Sequence, residues 1–150
     1  MVSSASCRAF SASVTVQTHD DNCRSLRFVV QRHQARTLHF DFRLEHEGVF
    51  KSWAVPKGIP EEIGVRRLAI QTADHALEFG EFEGEIPKGE YGAGTIEIWD
   101  SGSYEPIAWN ESEITVRLHG HRVAGLYQLV RFTRKGESEW LVFRRQETGP

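Results

Sequence analysis

The chain has 150 residues, 39% of them apolar and 26% charged, with a formal net charge of −3. That fits one globular domain with a single modest core and argues against a protein that wraps a long stretch of nucleic acid through many Lys and Arg contacts. No apolar run reaches the roughly 18 residues of a membrane helix and no secretory signal is evident, so a cytoplasmic protein with no membrane association is expected. Cys7 and Cys23 form neither a disulfide framework nor a repeated CxxC pattern, which suits a reducing compartment.

Residues 1–24, rich in Ser, Ala and Thr, read as a tail. Their composition faintly resembles an organelle transit peptide, and the alternation at Val14 and Val16 is compatible with one edge strand. Residues 25–147 form the expected domain. Leu26–Gln31, Leu38–Glu45 and Val49–Val55 are rich in β-branched and aromatic residues and are predicted strands. His46-Glu47-Gly48 predicts a hairpin between the second and third, with Gly48 free to take positive φ. Pro60–Val65 suggests one helical turn. Further predicted strands are Arg67–Gln71, Gly94–Asp100, Ile114–Leu118, Leu126–Phe132 and Glu139–Arg144, with turn signals at Pro87-Lys88-Gly89, Ser101-Gly102 and Arg134-Lys135-Gly136. About eight short antiparallel strands with short helical segments predict a mainly β fold, a small antiparallel β-barrel that closes its own edges.

The chemistry concentrates in one strand. In Leu38-His39-Phe40-Asp41-Phe42-Arg43-Leu44-Glu45 every second residue is apolar, so His39, Asp41, Arg43 and Glu45 share a sheet face at a spacing of about 6.6 Å. An imidazole and a carboxylate suit a divalent transition metal, and Gln34-Ala35-Arg36 brings His33 back as a third ligand. Two histidines and one carboxylate leave coordination positions open for water or a substrate oxygen, as a catalytic metal requires. Arg43, a permanent cation beside that ion, calls for an anion between them, and a phosphate would bridge the two. A lone His next to an Asp on a strand is ordinarily a surface pair. Four successive polar positions carrying His, Asp and Arg, with His33 upstream, raise the functional reading to even weight.

The stretch Phe28-Val29-Val30-Gln31-Arg32-His33-Gln34-Ala35-Arg36-Thr37-Leu38-His39-Phe40-Asp41-Phe42-Arg43-Leu44-Glu45 closely resembles the 3′-phosphoesterase domain of bacterial DNA ligase D. Lys51-Ser52-Trp53-Ala54-Val55-Pro56-Lys57-Gly58, Asp74-His75, Phe82-Glu83-Gly84, Ile86-Pro87-Lys88-Gly89-Glu90-Tyr91-Gly92-Ala93-Gly94 and Trp140-Leu141-Val142-Phe143 are similar to that family's later blocks, in order. The resemblance covers roughly residues 25–145. It implies a manganese enzyme, or one using a similar ion such as cobalt or zinc, that heals the 3′ ends of nucleic acid during end-joining DNA repair. Such an enzyme removes a 3′-terminal ribonucleoside and a 3′-phosphate to leave a 3′-hydroxyl for a separate ligase or polymerase. Carried over by position, His33, His39 and Asp41 are implied metal ligands, Arg43 and His75 implied phosphate contacts, and Gln31, Lys57 and Arg67 implied supporting contacts. Phe79 departs from the Tyr that the family often has there, and the tail does not match the family's charged lead-in. A monomer is expected.

Other features are weaker. Glu78, Glu81, Glu83 and Glu85 read as a solvated face rather than a second metal site, and His119-Gly120-His121 reads as an exposed turn. Gly89–Gly94 lacks the Lys-Ser/Thr ending of a phosphate-binding loop. Trp53, Trp99 and Trp109 are candidates for base stacking, with core packing the stronger expectation. Two rival functions are a non-haem iron oxygenase, against which the order of the histidines counts, and a non-catalytic module that binds 3′ ends.

Overall fold

The computed structural model describes residues 26–90, 93–131 and 138–146. Nine strands succeed one another: β1 (Leu26–Gln34), β2 (Leu38–His46), β3 (Val49–Val55), β4 (Arg66–His75), β5 (Gly84–Ile86), β6 (Gly94–Trp109), β7 (Glu113–His119), β8 (Ala124–Arg131) and β9 (Glu139–Arg145). A single 3₁₀ turn among the described residues, Leu77–Glu81, lies between β4 and β5. Neighbours run β1-β2-β3-β4-β9-β8-β7-β6, and β6 pairs back onto β1, closing an eight-stranded antiparallel barrel as the sequence predicts. β5 adds to the outer edge of β6 where that strand begins. Among the described residues no helix is long and apolar enough to cross a membrane.

Period-2 alternation explains the core. Phe28 and Val30, Phe42 and Leu44, Trp53 and Val55, Ile114, Val116 and Leu118, Tyr127 and Leu129, and Trp140 and Val142 all bury into one cluster. Each such side chain contributes about 1.5–3 kcal/mol by leaving water. The β2–β3 hairpin turns on Glu47 and Gly48, with φ of 54° and 86°, the two-residue geometry whose twist suits flanking strands. That turn sets the register, so Arg43 faces Ser52 and Asp41 faces Ala54.

Two local expectations change. Residues 60–65 form no helical turn: Ile59 is buried in the core, and the carbonyls of Pro60 and Glu61 are taken by Tyr127 Oη at 2.8 Å and Arg144 Nη1 at 2.9 Å. Backbone groups committed to side chains across the barrel end are not free for a helix. Ser101-Gly102 is no turn either, because β6 runs through it to Trp109. Gly102 packs so closely on His119 that an added Cβ would lie 2.2 Å from its carbonyl oxygen, so the glycine serves close strand approach. The expected strand at Val14 and Val16 and the turn at Arg134-Lys135-Gly136 lie outside the described residues.

Candidate metal and phosphate site

With the even positions of β1 and β2 committed to the core, Gln31, His33, Asp41 and Arg43 emerge on the opposite face, beside Ser52 and Phe50 of β3. His33 stands opposite His39 and Gln31 opposite Asp41 across the β1–β2 ladder. The segment after β4 covers part of this face: Gly80 lies against the ring of Phe50, while Arg27 bonds the Leu77 carbonyl at 3.3 Å and pairs with Glu81 at 3.3 Å. These polar side chains are therefore buried although they lie outside the barrel core.

One donor atom from each of His33, His39 and Asp41 lies within 4.8 Å of the other two. Asp41 is the centre: its Oδ2 is 3.3 Å from His33 Nδ1, its Oδ1 is 3.2 Å from His39 Nε2, and Arg43 Nη2 approaches Oδ2 at 3.4 Å. The other nitrogen of His33 is 3.2 Å from the Ala93 carbonyl. Burial alone would push the Asp41 carboxyl up, but the His39 hydrogen bond and the Arg43 charge outweigh it and hold it below the ordinary value. The hydrogen bond to Asp41 correspondingly raises His39. Two imidazoles and a carboxylate converging in this way fit a divalent transition ion. Among the described residues this is the one such group.

Arg43 is 3% exposed, so its charge depends on partners. Its Nε donates to Gln31 Oε1 at 2.7 Å, and its Nη1 donates to Ser52 Oγ at 2.7 Å and approaches His75 Nδ1 at 3.0 Å. The guanidinium carbon also lies 4.9 Å from the centre of the Phe79 ring. The conflict that the sequence poses between Arg43 and a metal is thus eased in part by Asp41 itself, which faces both. His75, the last residue of β4, is 5.0 Å from Phe79, ring to ring. Burial first, and then the Arg43 charge, lower its pKa from 6.5.

His33, His39, Asp41, Arg43, His75 and Phe79 all line one open cavity of about 1120 Å³, larger than a phosphate needs and sufficient for a nucleotide. Gln31 is fully buried behind Arg43, and its Nε2 donates to the carbonyls of Phe79 at 2.9 Å and Phe82 at 3.1 Å. Lys57 and Arg67 lie together away from the cavity wall, with Arg67 Nη1 bonding the carbonyls of Lys57 at 2.7 Å and Gly58 at 3.2 Å. Arg36 and Lys88 do line the cavity. Ser52 escaped the sequence reading, yet counting back from the two-residue hairpin turn places it opposite Arg43.

Of the weaker candidates, Glu85, Gly89 and Gly94 line the same cavity, and others settle elsewhere. Glu83 accepts from the Ile98 N–H at 2.7 Å, and His119 pairs with Glu105 at 3.2 Å. Trp53 is fully buried, while Trp99 and Trp109 pack against the core from its margin.

A family profile for the DNA Ligase D 3'-phosphoesterase domain matches residues 31–131. The chain is 50% identical over 121 residues to the multifunctional non-homologous end joining protein LigD of Mycobacterium bovis, an alignment covering 78% of this chain and 16% of that protein. It is 47% identical over 132 residues to the protein of the same name from Mycolicibacterium smegmatis, covering 81% of the chain and 17% of the relative. For the Pseudomonas aeruginosa protein, also of that name, the figures are 40% over 133 residues, 85% and 16%. The chain therefore spans about one sixth of the length of these relatives. With its closed barrel, the profile match and these identities, the chain belongs to the DNA ligase D 3′-phosphoesterase domain family.

Proposed function

We propose that this domain is a divalent-metal-dependent phosphoesterase that heals nucleic-acid 3′ ends in DNA repair, removing a 3′-terminal ribonucleoside or a 3′-phosphate to leave a 3′-hydroxyl. The observation that carries this reading is that His33, His39 and Asp41 line the same cavity as Arg43 and His75, so that metal-ligand chemistry and anion-binding chemistry meet in one space.

In this reading His33, His39 and Asp41 would hold manganese, or cobalt or zinc. Such an ion, when bound, supplies Lewis-acid stabilisation of the negative charge that develops on a phosphoryl group. Arg43 binds the phosphate through charge-assisted hydrogen bonds, and its burial strengthens them. A guanidinium only donates, so Nδ1 of His75 accepts from Arg43 and the neutral ring carries its proton on Nε2. That N–H is suited to a phosphate oxygen or to the departing oxygen. Gln31 orients Arg43, while Lys57 and Arg67, set away from the cavity wall, would meet phosphates of the nucleic-acid strand upstream of its 3′ end. Partners are a 3′ end carrying a ribonucleotide or a phosphate and a DNA ligase or polymerase, in the cytoplasm, with the domain acting as a monomer.

The test is incubation of a labelled strand ending in a 3′-phosphate, or in one ribonucleotide, with manganese and either native protein or His39→Ala. Native protein should yield the 3′-hydroxyl, and the variant should lose about a hundredfold or more of the rate, at least the loss that follows removal of a residue merely supporting a ligand. Turnover retained by the variant would sink the metal assignment. Manganese-dependent binding without turnover by native protein would favour a non-catalytic end-binding module.

A further inference from the structure

Ser52 of β3 is fully buried on the face that carries the site, between Arg43 of β2 and Thr72 of β4 in the strand register. Its Oγ accepts the 2.7 Å hydrogen bond from Arg43 Nη1, the same nitrogen that reaches His75 Nδ1 at 3.0 Å. The hydroxyl oxygen itself is 3.4 Å from that ring nitrogen and 3.4 Å from the Phe50 carbonyl oxygen. One small side chain therefore touches both groups that face the phosphate in the reading above.

The geometry has a directional consequence. Arg43 can donate to His75 only while Nη1 points along β3 toward the end of β4, and Ser52 is the hydroxyl that Nη1 meets there. Gln31 holds the opposite side of the guanidinium, at Nε. Asp41 Oδ2 lies 3.4 Å from Nη2, so each guanidinium nitrogen has its own partner, and Ser52 is the one that holds Nη1, the nitrogen facing His75. Without Oγ the hold nearest His75 is lost, and the ring is freer to exchange its Nε2–H tautomer for the other.

We propose that Ser52 is a positioning residue that holds Nη1 of Arg43 against Nδ1 of His75 and so keeps the His75 proton on Nε2, where it serves the phosphate. The functional part of this proposal rests on the phosphoesterase reading; the tautomer part stands on the contacts alone.

The test uses Ser52→Ala and Ser52→Thr in the full chain, with two readouts. Nitrogen-15 shifts of the His75 ring in metal-free protein report the tautomer, and kcat and KM on a 3′-phosphate strand with manganese report its consequence. Ser52→Ala should move the ring shifts toward a mixture of tautomers and lower kcat/KM by roughly tenfold to a hundredfold, as loss of an orienting hydrogen bond does. Ser52→Thr, which keeps the hydroxyl, should retain native shifts and most of the activity. Native His75 shifts in Ser52→Ala would overturn the proposal, as would an equal loss in both variants or a loss that merely follows a lower unfolding midpoint. Native protein inactive on the strand would count against the phosphoesterase reading instead, and the His75 shifts would still decide what Ser52 does.

Discussion

Gln31 and Arg43 are joined by a 2.7 Å hydrogen bond from the guanidinium Nε to the amide oxygen, and the amide nitrogen of Gln31 donates in turn to the carbonyls of Phe79 and Phe82. One fully buried side chain thus ties the arginine of the cavity wall to the segment that covers the site. Gln31→Ala should leave a buried cation and two carbonyls short of partners, at about 1–3 kcal/mol for a lost buried partner. Its unfolding midpoint should fall by several degrees, and amide exchange in residues 77–82 should quicken relative to the barrel strands. A variant with native midpoint and native exchange would show that this tie holds nothing.

Phe79 stacks on Phe82 at 5.3 Å with the rings nearly parallel, and it faces both Arg43 and His75. Phe79→Tyr adds a hydroxyl to a ring that already lines the cavity. One new hydrogen bond to substrate is worth about 1 kcal/mol, or roughly fivefold in rate. The ratio of ribonucleoside removal to phosphate removal should shift by about that factor when both are measured on matched strands. An unchanged ratio would make the missing hydroxyl immaterial.

Metal binding should be visible without catalysis. A ligand present at a hundred times its Kd stabilises the folded state by about 2.7 kcal/mol, so saturating manganese should raise the native unfolding midpoint and a chelator should reverse the gain. His33→Ala, His39→Ala and Asp41→Ala should each abolish most of that increment. An equal rise in any of them would remove that residue from the ligand set.

Outside the cavity lining, Asp100 receives four backbone N–H groups, from Ser101, His121, Arg122 and Val123, at 2.7–2.9 Å. Burial alone would push its carboxyl up, but these donors outweigh it and hold the pKa below 3.8. The folded state then binds the proton less tightly than the unfolded chain. The carboxylate's contribution is accordingly full above the unfolded value of about 3.9 and is lost as pH falls through the lower folded value. Asp100→Asn should have a lower midpoint than native protein at neutral pH and a shallower decline on acidification below about pH 4. Parallel acid profiles would show that Asp100 carries none of the acid sensitivity.

Much of the barrel was legible from periodicity because the physical cause is local. Leu38, Phe40, Phe42 and Leu44 alternate with polar residues, and Gly48 in His46-Glu47-Gly48 supplies the positive φ of a tight connection, so β2, its hairpin and the shared face of His39, Asp41 and Arg43 follow from a short window of chain. Three residues carry too little pattern to mark β5, and Ser101-Gly102 has the composition of a turn although β6 runs through it. What makes that glycine part of a strand is His119, seventeen positions away, whose backbone leaves no room for a side chain.

The amino-acid sequence by itself determined which residues share a sheet face, where the β2–β3 hairpin turns and which residues have metal-ligand and anion-binding chemistry, since each depends on neighbours a few positions apart. Only the tertiary structure decided how those residues meet. Ring closure between β1 and β6, the covering of Arg43 by Phe79 and the meeting of Arg43 with His75 all join segments distant in the chain. Such contacts form only when the whole barrel has closed, because the loss of chain entropy in bringing them together is offset by the common core and not by the contacts themselves.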